Sequence, residues 1–333
     1  MMEAIANRKN LIVLLAAFFA VYVFWGSTYL AIKLTIETLP PFLMAGTRFA
    51  FAGVILFVWA RFTKDYERPT FEHWKTAAIV GTFLLLGGNG AVVVASQYIP
   101  SSMTALLVAT EPLFVVMLSW LWLGNARPNW KVAAGLIVGF AGVFILISGK
   151  GPGTSAAGGY GQWLGYGAVI FGALSWATGS IYGLKASTPK SSLLTAGMQM
   201  LAGSVSLFVV GLVRGEHTTF DPAAVSSNSI FALFYLIVFG SLIGFTAYSW
   251  LLKNAQPAMV ATYAYINPVI AVILGWSVAG ESLTAQMLIG AFVIVASVVL
   301  ITANKSEKVE DDDLPIHHSQ TPSCNRPSYS TSS

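Results

Sequence analysis

Two ionisable side chains stand inside long apolar runs: Arg48 in the run 41–60 and Glu111 in the run 101–123. A charge in such a setting is costly, so its default reading is functional: a substrate contact, a proton relay, or half of an ion pair. Counting about 1.5 Å per residue from the nearer end of its run, Arg48 lies roughly 10 Å deep and Glu111 roughly 15 Å deep. Similar depth allows the two to form an intramembrane polar pair that holds two helices together. The other reading is that one of them meets a substrate or a proton. Glu111 is the deep carboxylate, so any proton coupling on the protein side falls to it.

Aromatic and amide side chains recur around these charges. Trp25, Tyr29, Trp176, Tyr182, Tyr263 and Tyr265 could wall a pocket for an organic solute. The competing reading is an interfacial belt, which suits Trp130 and Trp163 near run ends. Asn89 sits mid-run in Gly87-Gly88-Asn89-Gly90, where glycines permit close helix approach and the amide could face a cavity. The expected substrate pocket is therefore Trp25, Asn89, Trp176 and Tyr265 around Glu111. Pro112 and Pro268 each follow a polar residue and free a backbone carbonyl one turn earlier, as a hinge or as a plain kink.

Several chemistries are excluded by residue placement. Asp65, Asp221 and Asp311–Asp313 all lie outside the runs, so an intramembrane aspartyl protease does not fit. His73, His217, His317 and His318 lie outside too, and Cys324 is the single cysteine, which disfavours a metal site. No GxxxxGK[ST] phosphate loop is present, so no nucleotide is bound that way. No enzyme activity, metal or cofactor is expected. A solute would move by a gradient, by exchange or by facilitated flow.

The elements that carry these residues follow from composition. Apolar residues make up 56% of the 333 and charged residues 10%, against about a quarter charged in soluble domains. A net charge of +4, with the basic residues between runs, argues against a nucleic-acid partner and for a lipid bilayer. Ten runs are long enough to span: 11–31, 41–60, 75–95, 101–123, 131–148, 162–183, 192–213, 230–252, 257–278 and 284–303. The first continues to Leu30 and ends at Lys33 without a small-residue cleavage site, so it reads as a retained helix. Residues 304–333, with Glu310–Asp313 and scattered Ser and Pro, read as a disordered cytoplasmic tail.

Lysine and arginine set orientation. One side collects Arg8, Lys9, Arg61, Lys64, Arg68, Lys75, Arg127, Lys131, Lys185, Lys190, Lys253, Lys305 and Lys308; the other has only Lys33, Lys150 and Arg214. Both termini are expected in the cytoplasm.

The chain also repeats, at a shift of roughly 151–156 residues. Trp25 falls on Trp176, Ala45-Gly46 on Ala196-Gly197, Pro112 on Pro268 and Gly124 on Gly280. At the same shift Arg48 meets Gln199 and Glu111 meets Asn267, neutral polar counterparts of the charged residues. Two repeats, 11–148 and 162–303, of five spans each must cross in opposite senses. The expected fold is an all-α membrane protein of ten transmembrane helices in two inverted five-helix repeats, with a site at the midplane.

The stretch from Trp25 to Lys33 (WGSTYLAIK), the run PPFLMAGTRF from Pro40, the pair Glu111-Pro112 and the segment Gly280-Glu281-Ser-Leu-Thr resemble the EamA family of the drug/metabolite transporter superfamily. The family often shows Gly-Glu after the fourth span, where this chain has Gly124-Asn125. The resemblance implies a ten-helix exporter of amino acids, metabolites or drugs in a bacterial inner membrane, working as a secondary transporter by alternating access. A membrane sensor and a lipid-handling or channel protein are the competing classes. The expected partners are a small-molecule substrate and the bilayer.

Overall fold

The computed structural model describes residues 2–123, 130–148, 159–255 and 262–312, with side chains described from residue 11 to 300 of these except 123, 249, 252, 253 and 265. Among the described residues the chain is helical, without strands. Eight helices are long and apolar enough to cross a membrane: α1 (Leu11–Thr35), α2 (Pro41–Ala60), α3 (Phe71–Ala95), α4 (Ser101–Trp122), α5 (Trp130–Ser148), α6 (Tyr160–Lys185), α7 (Ser192–Val213) and α8 (Ser227–Tyr248). Two shorter apolar helices follow, within α9 (Tyr263–Ser277) and α10 (Ala285–Asp312). The last helix runs on into the segment 304–333 read from composition as a tail, and residues 313–333 lie outside those described.

Local chemistry starts and stops these helices. Pro41 at the first turn of α2 lacks only an N–H that has no helical partner there. Thr70 Oγ1 accepts from His73 N–H and His73 Nδ1 accepts from Thr70 N–H, a reciprocal cap on α3. Ser191 and Ser226 cap α7 and α8. Gly215 (φ +72°) and Gly280 (φ +64°) turn the chain after α7 and α9 in a left-handed conformation that other residues adopt at a cost.

The apolar faces divide between lipid and core. Phe51, Val54, Phe144, Phe171, Phe231 and Phe292 point outward, as a hydrocarbon solvent permits. One buried core joins α4, α5, α6 and α10 through Leu107, Leu113, Leu146, Val169 and Ile294. A second joins α1, α2, α3, α7 and α8 through Phe49, Leu56, Leu85, Leu207 and Leu236.

α2 packs extensively on α7, and α5 on α10, and glycines allow both. At Gly197 a Cβ would lie 2.8 Å from Phe57 N, and at Gly142 a Cβ would lie 2.8 Å from Ile294 Cγ1. The pairings correspond: α7 and α10 fall on α2 and α5 at the sequence shift.

Three helices widen to π geometry, at Ala20–Trp25 in α1, Thr82–Gly90 in α3 and Leu236–Ile243 in α8. A π turn misaligns backbone carbonyls from their usual donors. Trp25 Nε1 donates to Gly240 O at 3.1 Å, and Ser175 Oγ donates to Phe83 O at 2.8 Å. The first helix of each sequence repeat thus docks on the π segment of the other.

Candidate functional site

A cavity is lined by Trp25 at the end of the α1 π segment and by Gly88 and Asn89 in the α3 π segment. Its empty space, counted with its open mouth, is ≈ 740 Å³, on the scale of pockets that take small organic ligands. The first repeat contributes Trp25, Tyr29, Arg48, Asn89 and Glu111 to its wall, and the second contributes Trp176, Phe245, Tyr263 and Asn267.

Trp25 is the centre of an aromatic cluster. Its ring centroid lies 5.4 Å from Phe245, 5.0 Å from Tyr248 and 5.4 Å from Tyr263. Tyr248 and Tyr263 meet edge to face at 5.7 Å. Such tilted and edge-on contacts suit aromatic quadrupoles and hold the rings in place. Across the cavity Trp176 packs over Gly88, whose missing side chain makes room for it.

Glu111 begins the second part of α4, where the helix breaks after Val108. Pro112 explains the break, because it cannot donate to the carbonyl four residues earlier. Glu111 Oε2 accepts from Tyr263 Oη at 3.4 Å, its one hydrogen bond from another side chain among the described residues. Arg48 is 5% exposed and its Nε donates to Ser241 Oγ at 2.9 Å, with the guanidinium 4.7 Å from the Phe49 ring. No ion pair joins Arg48 to Glu111, which corrects the expected polar pair. Depth in the sequence is similar for both, but Arg48 is turned toward the α8 π segment and Glu111 toward α9. Both line the cavity.

Of the expected pocket, Trp25, Asn89, Glu111 and Trp176 line the cavity together. The side chain of Tyr265 lies outside the described residues; Tyr263, two residues before it, lines the wall. Asn267 joins the site, its amide placed to donate to Tyr22 O and Tyr263 O. Gln199 does not; it borders a separate small cleft with His73 and Thr188. Pro268 sits within the continuous helix α9.

A second polar centre lies at the helix ends beside Pro100. Glu281 Oε1 accepts from Ser101 N–H (2.7 Å) and Oγ (2.8 Å), and Oε2 accepts from Ser102 N–H (3.0 Å) and Oγ (2.5 Å). Lys33 Nζ adds an ion pair at 3.1 Å. Burial pushes the Glu281 carboxyl up, but the Ser102 and Ser101 donors outweigh it and hold it down at about 2. Glu216 caps the start of α2, accepting from Phe42 and Leu43 N–H. Both carboxylates satisfy helix N-termini left without intrahelical partners. Gly280-Glu281 was visible as a motif; its target Ser101-Ser102, far away in sequence, was not.

The chain matches the model of the EamA-like transporter family twice, over residues 10–148 and 163–303. It is 37% identical over 299 residues to the uncharacterized inner membrane transporter YedA of Escherichia coli (strain K12), covering 89% of this chain and 93% of that one. It is 28% identical to the uncharacterized transporter YvbV of Bacillus subtilis (strain 168), covering 90% and 94%. A chain solved by crystallography shares the fold with a TM-score of 0.59 at 20% identity, covering 88% of this chain and 97% of that one.

Proposed function

This chain belongs to the EamA-like transporter family, and from that membership we propose that it is a secondary transporter, an exporter of small organic solutes, in a bacterial inner membrane. The observation that carries this reading is the cavity walled by both halves of the chain, with Trp25 and Trp176 seated in matching ways on opposite sides. The ten apolar segments form two inverted five-helix repeats with both termini in the cytoplasm. Inverted halves around a midplane site are the usual frame for alternating access. The inner-membrane name of the YedA relative and the lysine and arginine bias support this placement.

In this topology the Glu281 cluster lies at the outer ends of α1 and α4 and ties that end shut. Opening outward separates Lys33, Ser101 and Glu281. The break before Glu111-Pro112 and Pro268 within α9 are the hinges about which α4 and α9 swing. Glu111, in contact with Tyr263, is the carboxylate placed to exchange a proton between the two states.

Overexpression tests the reading. Cells carrying the protein should tolerate at least one toxic amino-acid analogue, metabolite or hydrophobic drug that inhibits cells with the empty vector, and should accumulate less of it. Unchanged tolerance and accumulation across all three classes would count against export.

A further inference from the structure

Arg48 and Glu111 line one cavity without touching. Arg48 uses Nε on Ser241, and its two terminal nitrogens have no partner among the described residues. Glu111 uses Oε2 on Tyr263, and Oε1 has no partner among the described residues. Among the described residues the one buried side-chain nitrogen or oxygen lacking a partner is Thr246 Oγ1. The free edges of Arg48 and Glu111 are therefore at the cavity surface, not sealed in the packing. A buried guanidinium without a counter-ion is costly. Its planar fork matches a carboxylate through two parallel hydrogen bonds.

The Glu111 end has a different character. The carboxylate stands among aromatic rings, with Tyr29 and Tyr263 lining the same wall and Trp25 in contact with Tyr263. A carboxylate beside aromatic faces is a setting for an ammonium group, which gains from the negative charge and from the ring quadrupoles. The two charges cancel, so the cavity favours no net charge on its occupant. Trp176, Phe245 and Val92 give the wall an apolar part, beside the neutral polar side chains of Thr28, Asn89 and Asn267.

Resting on the transporter reading, we propose that the solute is a compact zwitterion, its carboxylate on the free edge of Arg48, its ammonium at Glu111 among the aromatic rings, and an apolar body against Trp176 and Phe245. A neutral drug or a simple hydrophobic cation would leave Arg48 uncompensated, so specificity comes from reading both charges at once. This use of Arg48 also explains why it and Glu111 are kept apart: a direct ion pair would satisfy both and leave nothing for the solute.

Calorimetric binding to the purified full-length protein in detergent tests this with two sets of three probes. One set is phenylalanine, phenethylamine and 3-phenylpropionate; the other is valine, isobutylamine and isovalerate. At least one zwitterion should bind about ten-fold or more tightly than both of its single-charge analogues. Arg48→Gln should remove the advantage of the zwitterion over the amine, and Glu111→Gln its advantage over the acid. Arg48→Lys, which keeps the charge but loses the fork, should retain part of the preference and guards against a folding defect. Amines binding as well as zwitterions, or Arg48→Gln weakening amine and zwitterion equally, would overturn the assignment. So would failure of both sets to bind. If export of another solute class persists in that case, the zwitterion assignment alone fails; if no solute is exported, the transporter reading fails with it.

Discussion

The indole of Trp25 lies so close to Gly244 that a Cβ there would sit 2.8 Å from its Cδ1, and Trp176 crosses Gly88 with the same 2.8 Å to its Cε3. A methyl group has no room at either glycine unless the indole moves. Gly88→Ala and Gly244→Ala should each lower stability by about 1–3 kcal/mol, the usual cost of overpacking. Each should also impair transport, since the displaced ring is part of the cavity wall. Gly167→Ala is the control: a Cβ there meets nothing within 4 Å, so the helix should be unharmed or slightly stabilised. Thermal unfolding in detergent, read beside solute flux, checks all three.

The Glu281 cluster carries a pH signature. Its carboxyl is depressed from 4.5 to about 2 by the Ser101 and Ser102 donors, against the opposing effect of burial. A depressed carboxyl stabilises the fold fully above its unfolded value and loses that contribution as pH falls through the folded one. The melting temperature should therefore drop between pH 4.5 and 2 in the wild type. Glu281→Gln should be less stable at pH 7 by about 1–3 kcal/mol, because five donors, Lys33 among them, lose a charged acceptor, and its melting should vary less across that acid window. An unchanged acid profile in Glu281→Gln would show that another group carries the dependence.

Arg48 and Glu111 should behave as independent sites in the empty protein. With no ion pair between them, the stability changes of Arg48→Gln and Glu111→Gln should add in the double variant to within about 0.5 kcal/mol. A double variant much more stable than the sum would mean that the two charges meet.

Much of this arrangement is legible in the sequence. Apolar run length and Pro, Gly and charged separators delimit the helices, because lipid demands one long apolar face per span. Trp25 and Trp176 can be matched because their seats on Gly244 and Gly88 repeat with the fold. The Arg48–Glu111 relation is not legible, since depth along a helix says nothing of its rotation; Arg48 turns toward Ser241. The π segments that aim Trp25 and Asn89 into the cavity also lack a sequence signal, because they depend on side chains such as Ser175 taking up the freed carbonyls. The part played by Glu281 needed the three-dimensional neighbour Ser101-Ser102.

The topology can be read with reporter fusions. A fusion after Ser306 should report cytoplasm, and one within Gly151–Gly159 should report the outside, as thirteen basic residues against three imply. Both reporters on one side would exclude ten spans in inverted halves.

Alternating exposure of the central cavity is tested most directly by the access of a single thiol. Cys324 is the single cysteine, so Asn89→Cys in a Cys324→Ser background places one thiol in the cavity wall. Labelling with a membrane-impermeant maleimide is followed from each face of oriented vesicles. The cysteine should react from both faces, each reaction slowed by the transported solute, while the vesicles stay tight to ions. Reaction from one face only under every condition, or from both faces together with an open ion leak, would contradict alternating access through this cavity.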